Sequence, residues 1–145
     1  MSIDIIKATE KDRCFFRVAH HVAYREIIES MFNWNEQEQD KYADNDFDER
    51  NPHIILYDKI PAGVIGWQDK PDYIWFGPIF ILPKYQNQGI GSYLVRKFID
   101  KANSQNLTLR LQTLLRNERA KKLYDKLGFK TVSSDDIHWQ MEYKR

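Results

Sequence analysis

One cysteine, Cys14, occurs among 145 residues. That excludes an internal disulfide and any cysteine-rich zinc site. An excess of one charge is also missing. The 22 Lys and Arg stand against 21 Asp and Glu, for a net charge of +1. A uniformly basic nucleic-acid binder is therefore disfavoured, and no nucleic-acid partner is expected. Long hydrophobic runs are absent. The longest apolar stretch, Tyr73 to Leu82, stops at Pro83 after ten residues, well short of the roughly 20 needed to span a bilayer. Met1 to Arg13 mixes Asp, Lys, Glu and Arg and holds no apolar signal region. These features predict a cytoplasmic protein with no membrane partner. Repeats, low-complexity segments and Gly/Ser linkers are missing too. The four histidines show no metal-ligand spacing: His20 and His21 are neighbours on a predicted helix, expected to point different ways, and His53 and His138 stand alone. No metal is expected.

What is present suits one globular domain over residues 1–145. The chain is 42% hydrophobic and 14% aromatic, too apolar for disorder, and its length matches a single core. The charge, although balanced, is segregated. Residues 35–49 hold seven acids and one base, and residues 116–130 hold six bases and two acids. Two solvated faces would explain this; so would a cationic ligand on one side and an anionic ligand on the other.

Periodicity places the elements. Ser2 to Lys7 reads as a strand. Thr9 followed by Asp12 resembles a capping box and predicts a helix start. Phe16, Ala19, Ala23, Ile27 and Met31 then recur at helical spacing, with an end near Asn33. A second, acidic helix fits 35–47. His53 to Tyr57 and Ala62 to Gln68 read as strands joined by a turn at Asp58 to Pro61. Tyr73 to Leu82 is a third strand, and its Gly77-Pro78 predicts a bulge. Ile90, Leu94, Phe98 and Ala102 form the buried stripe of a helix from about Gly89 to Asn103. Leu107, Leu109 and Leu111 alternate with polar residues as a strand. Asn117 is a good N-cap, Ala120, Leu123, Tyr124 and Leu127 share a helical face, and Gly128 supplies the stop. A strand from Phe129 and a last strand over Ile137, Trp139, Met141 and Tyr143 complete the chain.

The segment Ile79-Phe80-Ile81-Leu82-Pro83-Lys84-Tyr85-Gln86-Asn87-Gln88-Gly89-Ile90-Gly91-Ser92 bears on chemistry. A buried strand ends in a loop, and the loop opens a helix with glycine at its start. A helix start offers free N–H groups and the positive end of the dipole, and glycine lets an anion approach the backbone. The segment is not a Walker loop, because no Gly-Lys-Ser/Thr follows, nor a dinucleotide fingerprint. It is either an ordinary strand-to-helix turn or a pyrophosphate cradle.

A second segment, Arg116 to Phe129, follows one strand later. Gln86-x-x-Gly89-x-Gly91, together with Asn117, Ala120, Tyr124 and Gly128-Phe129, closely resembles the two signature segments of the GNAT superfamily of acetyl-CoA-dependent N-acetyltransferases. The order of elements fits as well, and the resemblance covers nearly the whole chain. It implies an α/β fold: a mixed, mostly antiparallel sheet of about seven strands, flanked by about four helices, with a splayed central strand pair. It further implies that backbone groups of Ile79, Phe80 and Ile81 pair with the pantetheine arm. The loop Gln86, Asn87, Gln88, Gly89, Ile90, Gly91 and Ser92 would hold the pyrophosphate, and Asn117 would lie near the pantetheine.

The implied reaction is direct attack of a neutral primary amine on the thioester of acetyl-CoA, the expected co-substrate. A backbone N–H near Ile81 is the implied oxyanion donor and Tyr124 the implied acid for the leaving thiolate. A phenol of pKa about 10 is protonated at neutral pH; as a plain core aromatic, Tyr124 would instead only pack. Members that acetylate protein N-termini often use a Glu as base where this chain has Gln112. Glu36 and then His138 are the candidate bases, with proton loss through water as the third route. The acidic segment would favour a cationic small molecule or a basic peptide as acceptor. A non-catalytic acyl-CoA-binding module is the competing function. The sequence leaves the oligomeric state open, a homodimer included.

Overall fold

The computed structural model describes residues 2–145. Among these are seven strands and four α-helices, in the order β1 (Ile3–Lys7), α1 (Arg13–Glu29), α2 (Glu36–Glu49), β2 (His53–Tyr57), β3 (Ile60–Asp69), β4 (Tyr73–Ile81), α3 (Ile90–Ser104), β5 (Thr108–Leu114), α4 (Glu118–Lys126), β6 (Lys130–Ser134) and β7 (His138–Tyr143). The class is mixed α/β with a mostly antiparallel seven-stranded sheet, as the sequence predicts. The chain clusters into two compact units. One holds Met1–Trp67 and Pro78–Ile90; the other holds Gln68–Gly77 and Gly91–Arg145.

In the first unit β2 pairs antiparallel with β1 and with β3. The β2–β3 hairpin turns on Asp58 and Lys59, both with positive φ (49° and 70°), as a two-residue turn matched to strand twist requires. The turn is tighter than the predicted Asp58 to Pro61. Pro61 is inside β3 and pairs with Leu56, beside a register shift at Ile55/Leu56. A bulge spares the ladder the N–H that proline lacks. The core of this unit is Ala8, Phe16, Ala19, Phe47, Ile54, Val64 and Phe80. Thr9 does not start the α-helix directly. Its backbone N–H donates to Asp12 Oδ2 at 2.8 Å, a 3-10 turn intervenes, and α1 begins at Arg13 and ends at Glu29 rather than near Asn33. Asn35 caps α2 by accepting from the Glu38 N–H at 2.9 Å, and the helix runs two residues past the expected end.

Helices α1 and α2 face each other through a charge ladder. Arg13 Nη2 reaches Asp48 Oδ1 at 2.6 Å, Arg17 Nη2 reaches Asp44 Oδ2 at 3.0 Å, and His21 Nε2 reaches Asp40 Oδ1 at 2.7 Å. Positions 13, 17 and 21 ascend one face in steps of four while 48, 44 and 40 descend the other. Three of the seven acids in 35–49 are thus held by α1, so the acidic run is not simply a solvated face.

In the second unit the order is β4-β5-β7-β6. β4 and β5 run parallel, and their register covers only Tyr73–Trp75 against residues 108–110. Gly77 follows with φ +117°, a left-handed conformation at the predicted irregularity. β5 pairs antiparallel with β7 from Leu109/Tyr143 to Leu114/His138. On α3, Leu94, Val95, Phe98, Ile99 and Ala102 are buried. Gly128 ends α4 with φ +97°, while the Phe129 N–H donates to the Tyr124 carbonyl at 3.0 Å, the helix-terminating bond pattern that left-handed glycine permits.

Candidate active site

In the first unit Phe80 is buried, with Ile79 and Ile81 partly so. The Leu82 N–H donates to the Ala62 carbonyl at 2.9 Å, holding the strand end against β3. Pro83 to Tyr85 makes one 3-10 turn. Gln86 Nε2 then donates back to the Ile81 carbonyl at 2.9 Å, tying the loop to the strand it leaves. Gln88 Nε2 makes a longer bond, 3.4 Å, to the Lys84 carbonyl. Asn87 and Gly89 are both left-handed, with φ of 64° and 80°. They swing the chain into α3, where Ile90 is buried and anchors the first turn. A Cβ on Gly89 would meet nothing within 4 Å. Glycine is favoured there by the left-handed backbone, and the space beside it is open. The first turn of α3 contains no acid, so nothing offsets its positive end toward an anion. These features fit a diphosphate.

In the second unit Gly91 and Ser92 continue the helix, and a Cβ on Gly91 would make only an ordinary contact, 3.8 Å from Leu123 Cδ2. Asn117 spends its side-chain oxygen on the Ala120 N–H at 3.2 Å, capping α4. Tyr124 is buried on the same helix, edge-on to Phe129 at 5.4 Å. Burial pushes its phenol well above the ordinary value. Lys121 of the basic stretch is engaged by Asp125 at 2.8 Å. Gln112 is exposed and accepts from Gln140 Nε2 at 3.0 Å, as its register partner on β7.

The two candidate bases differ. Glu36 is exposed, accepts from Trp34 Nε1 at 2.6 Å, and lies 3.6 Å from His21 Nε2. His138, in the second unit, is half-buried, and that burial lowers its pKa against the pull of Asp135. His20 and His21 do not point apart as expected. Their Nδ1 atoms are 2.9 Å from each other, and His21 Nε2 is bonded to Asp40. Side chains of adjacent helical residues lie about 100° apart, yet here the rings turn inward and meet. Helical spacing alone does not reveal this, because Asp40, which orients the pair, comes from another helix.

A sequence profile of the acetyltransferase (GNAT) family matches residues 21–129, which include both signature segments. No curated protein matches the chain. Solved structures share the fold. The PaiA N-acetyltransferase of Thermoplasma acidophilum in complex with coenzyme A is 17% identical, with all of both chains covered and a TM-score of 0.80. An Arabidopsis thaliana protein in complex with the bisubstrate analogue CoA-Ac-MVNAL is 19% identical, again over all of both chains, with a TM-score of 0.71. The ribosomal-protein-S18-alanine N-acetyltransferase of Escherichia coli is 23% identical, covering 97% of this chain and 92% of its own, with a TM-score of 0.67. With its signature loop and its signature helix inside the matched region, the chain belongs to the acetyltransferase (GNAT) family.

Proposed function

We propose that this protein is an N-acetyltransferase that moves the acetyl group of acetyl-CoA to a primary amine. The carrying observation is the loop from Gln86 to Gly89. It is pinned to β4, left-handed at Asn87 and Gly89, open beside Gly89, and leads into a helix start free of acids. Structural neighbours bearing coenzyme A or a bisubstrate analogue support the same donor. An acceptor amine is supported by the neighbour described as an alanine N-acetyltransferase.

In this reading residues 86–92 receive the diphosphate and the backbone of Ile79, Phe80 and Ile81 aligns the pantetheine arm, with Asn117 at its side. The amine loses one proton before attack. The nitrogen then bonds to the thioester carbon, the oxyanion accepts from a backbone N–H near Ile81, and the C–S bond breaks. Tyr124 gives its phenolic proton to the departing sulfur and is refilled by the second proton of the amine. Its raised pKa keeps the phenol protonated until charge develops on sulfur. The preference for a cationic acceptor rests on fewer acids than the sequence suggests, since Asp40, Asp44 and Asp48 are already paired to α1.

Thiol release from acetyl-CoA with a panel of amines is the direct test, run beside a measurement of acetyl-CoA affinity. The expected result is binding, with release that depends on the amine. Tight binding with no release for any amine would leave a non-catalytic acyl-CoA-binding module; no binding would remove the donor.

A further inference from the structure

We infer that His21, Glu36 and Asp40 form a site for one zinc ion between α1 and α2. All three residues belong to the first unit. Glu36 and Asp40 stand four apart on α2 and so share one helical face, and α1 turns His21 toward them. His21 Nε2 lies 2.7 Å from Asp40 Oδ1 and 3.6 Å from Glu36 Oε1. The three ligand atoms all fall within 4.8 Å of one another. In tetrahedral coordination at metal–ligand distances near 2.0 Å, ligand atoms stand roughly 3.3 Å apart. The two measured edges bracket that value, and Glu36, exposed at the start of α2, can swing to close the third. No ligand spacing shows in the sequence, because the histidine and the carboxylates come from different helices.

The surroundings hold each ligand in place. On the side of the His21 ring away from the carboxylates, Nδ1 is 2.9 Å from Nδ1 of His20. His20 is itself buried, edge-on to Tyr24 at 5.2 Å and to Phe80 at 5.5 Å. A metal-bound imidazole almost always donates its other ring N–H to an acceptor, which fixes the ring's orientation. With zinc on Nε2, His21 donates from Nδ1 to His20, and the ion takes the place of the proton between His21 Nε2 and Asp40 Oδ1. Glu36 is oriented too. Its Oε2 accepts from Trp34 Nε1 at 2.6 Å, which leaves Oε1 toward His21. The Trp34 ring stands edge-on to His21 at 5.1 Å, an apolar wall beside the site. Two carboxylates balance the charge of a divalent cation. The neighbouring cations are Arg17, 3.8 Å from Asp40 Oδ1, and Arg25, 3.9 Å from Glu36 Oε2. Each has a closer partner, Asp44 at 3.0 Å and Glu29 at 2.8 Å. An imidazole with two carboxylates suits zinc, whereas magnesium and calcium prefer oxygen alone. Three protein ligands leave a fourth position to water.

Calorimetric titration of tag-free, chelator-treated protein with zinc tests the site. Wild type should bind one zinc ion per chain, and millimolar magnesium should not compete. Glu36→Gln changes an exposed side chain and leaves the fold intact, which circular dichroism verifies; it should weaken zinc binding about tenfold or more. His20→Gln, outside the ligand set, should weaken it by about 10–100-fold, because the His21 ring loses its support. His53→Gln, on β2, should leave zinc affinity unchanged. Wild-type protein that takes up no saturable zinc overturns the site. So does uptake that Glu36→Gln and His21→Gln leave unchanged, or that falls as much with His53→Gln as with Glu36→Gln; the zinc is then an adventitious ion only. None of these readouts needs turnover, so the site stands or falls apart from the acetyltransferase reading.

Discussion

Tyr124→Phe isolates one hydroxyl. The ring stays against Phe129, so packing is kept. If the phenol protonates the thiolate, turnover falls by about 10²–10⁴-fold while the acetyl-CoA dissociation constant moves little. Steady-state rates with a confirmed amine, beside equilibrium binding, check this; a variant turning over like wild type, with chemistry rate-limiting, would make Tyr124 a core residue. Two other groups, the half-buried Asp46 and the buried His20, make stability depend on pH. Burial on α2, with Glu49 adding and Arg50 opposing, pushes the Asp46 carboxyl up to about 6 from 3.8. Its neutral form is favoured in the fold, so the stability it allows is present below pH 4 and is lost as pH rises through 6. Asp46→Asn should therefore be more stable than wild type at pH 7, by on the order of 2 kcal/mol, and equal to it below pH 4. His20 acts in the opposite direction. Lowered from 6.5 to about 4, it costs stability as pH falls through that window, when the unfolded chain takes a proton that the folded chain refuses. The two slopes offset each other in the wild type. Melting curves of Asp46→Asn from pH 4 to 7 should expose a rise with pH that the wild type hides.

At the scale of elements, two glycines separate structural from functional constraint. A Cβ on Gly63 of β3 would collide with the Phe80 backbone carbonyl and press on Ile81 Cα at 3.1 Å. All of these are backbone atoms of β4 with nothing flexible to yield, so Gly63→Ala should cost about 1–3 kcal/mol or more and shift the strand that carries Ile79 to Ile81. Gly89→Ala meets open space and pays only for its left-handed φ, about 1–2 kcal/mol. Its added methyl enters the space assigned to the diphosphate. Denaturant titration paired with acetyl-CoA binding should find Gly63→Ala the less stable and Gly89→Ala the weaker binder for its stability. Comparable binding by Gly89→Ala and wild type would reduce the loop to a turn. The elements themselves were largely legible in the sequence. The misplaced edges have local causes: the 3-10 turn after Thr9 delays α1, and the left-handed pair Asp58-Lys59 closes the hairpin early enough to draw Pro61 into β3.

For the whole molecule, a ligand that binds only the folded state adds stability by mass action. At 100 times its dissociation constant, acetyl-CoA should contribute about 2.7 kcal/mol. A thermal melt with millimolar acetyl-CoA that matches the ligand-free melt would argue against the donor. If its phosphates are held partly by charge, high salt should weaken the effect.

Spacing along one chain determined the individual strands and helices and the two signature segments, because strand alternation, helical stripes and a glycine-bearing helix start are local patterns that survive without knowledge of neighbours; the fold class followed from the family those segments resemble. Spacing also determined the absence of Glu at the position of Gln112. What the tertiary structure decided lies in pairs distant in sequence. Arg13, Arg17 and His21 take up three of the seven acids in a run that reads as solvated or cation-binding, and Asp40 joins two adjacent histidines in one hydrogen-bonded cluster. Charge–charge and hydrogen-bond energies depend on distance through space, and no periodicity within α1 or α2 says which face of one helix meets which face of the other.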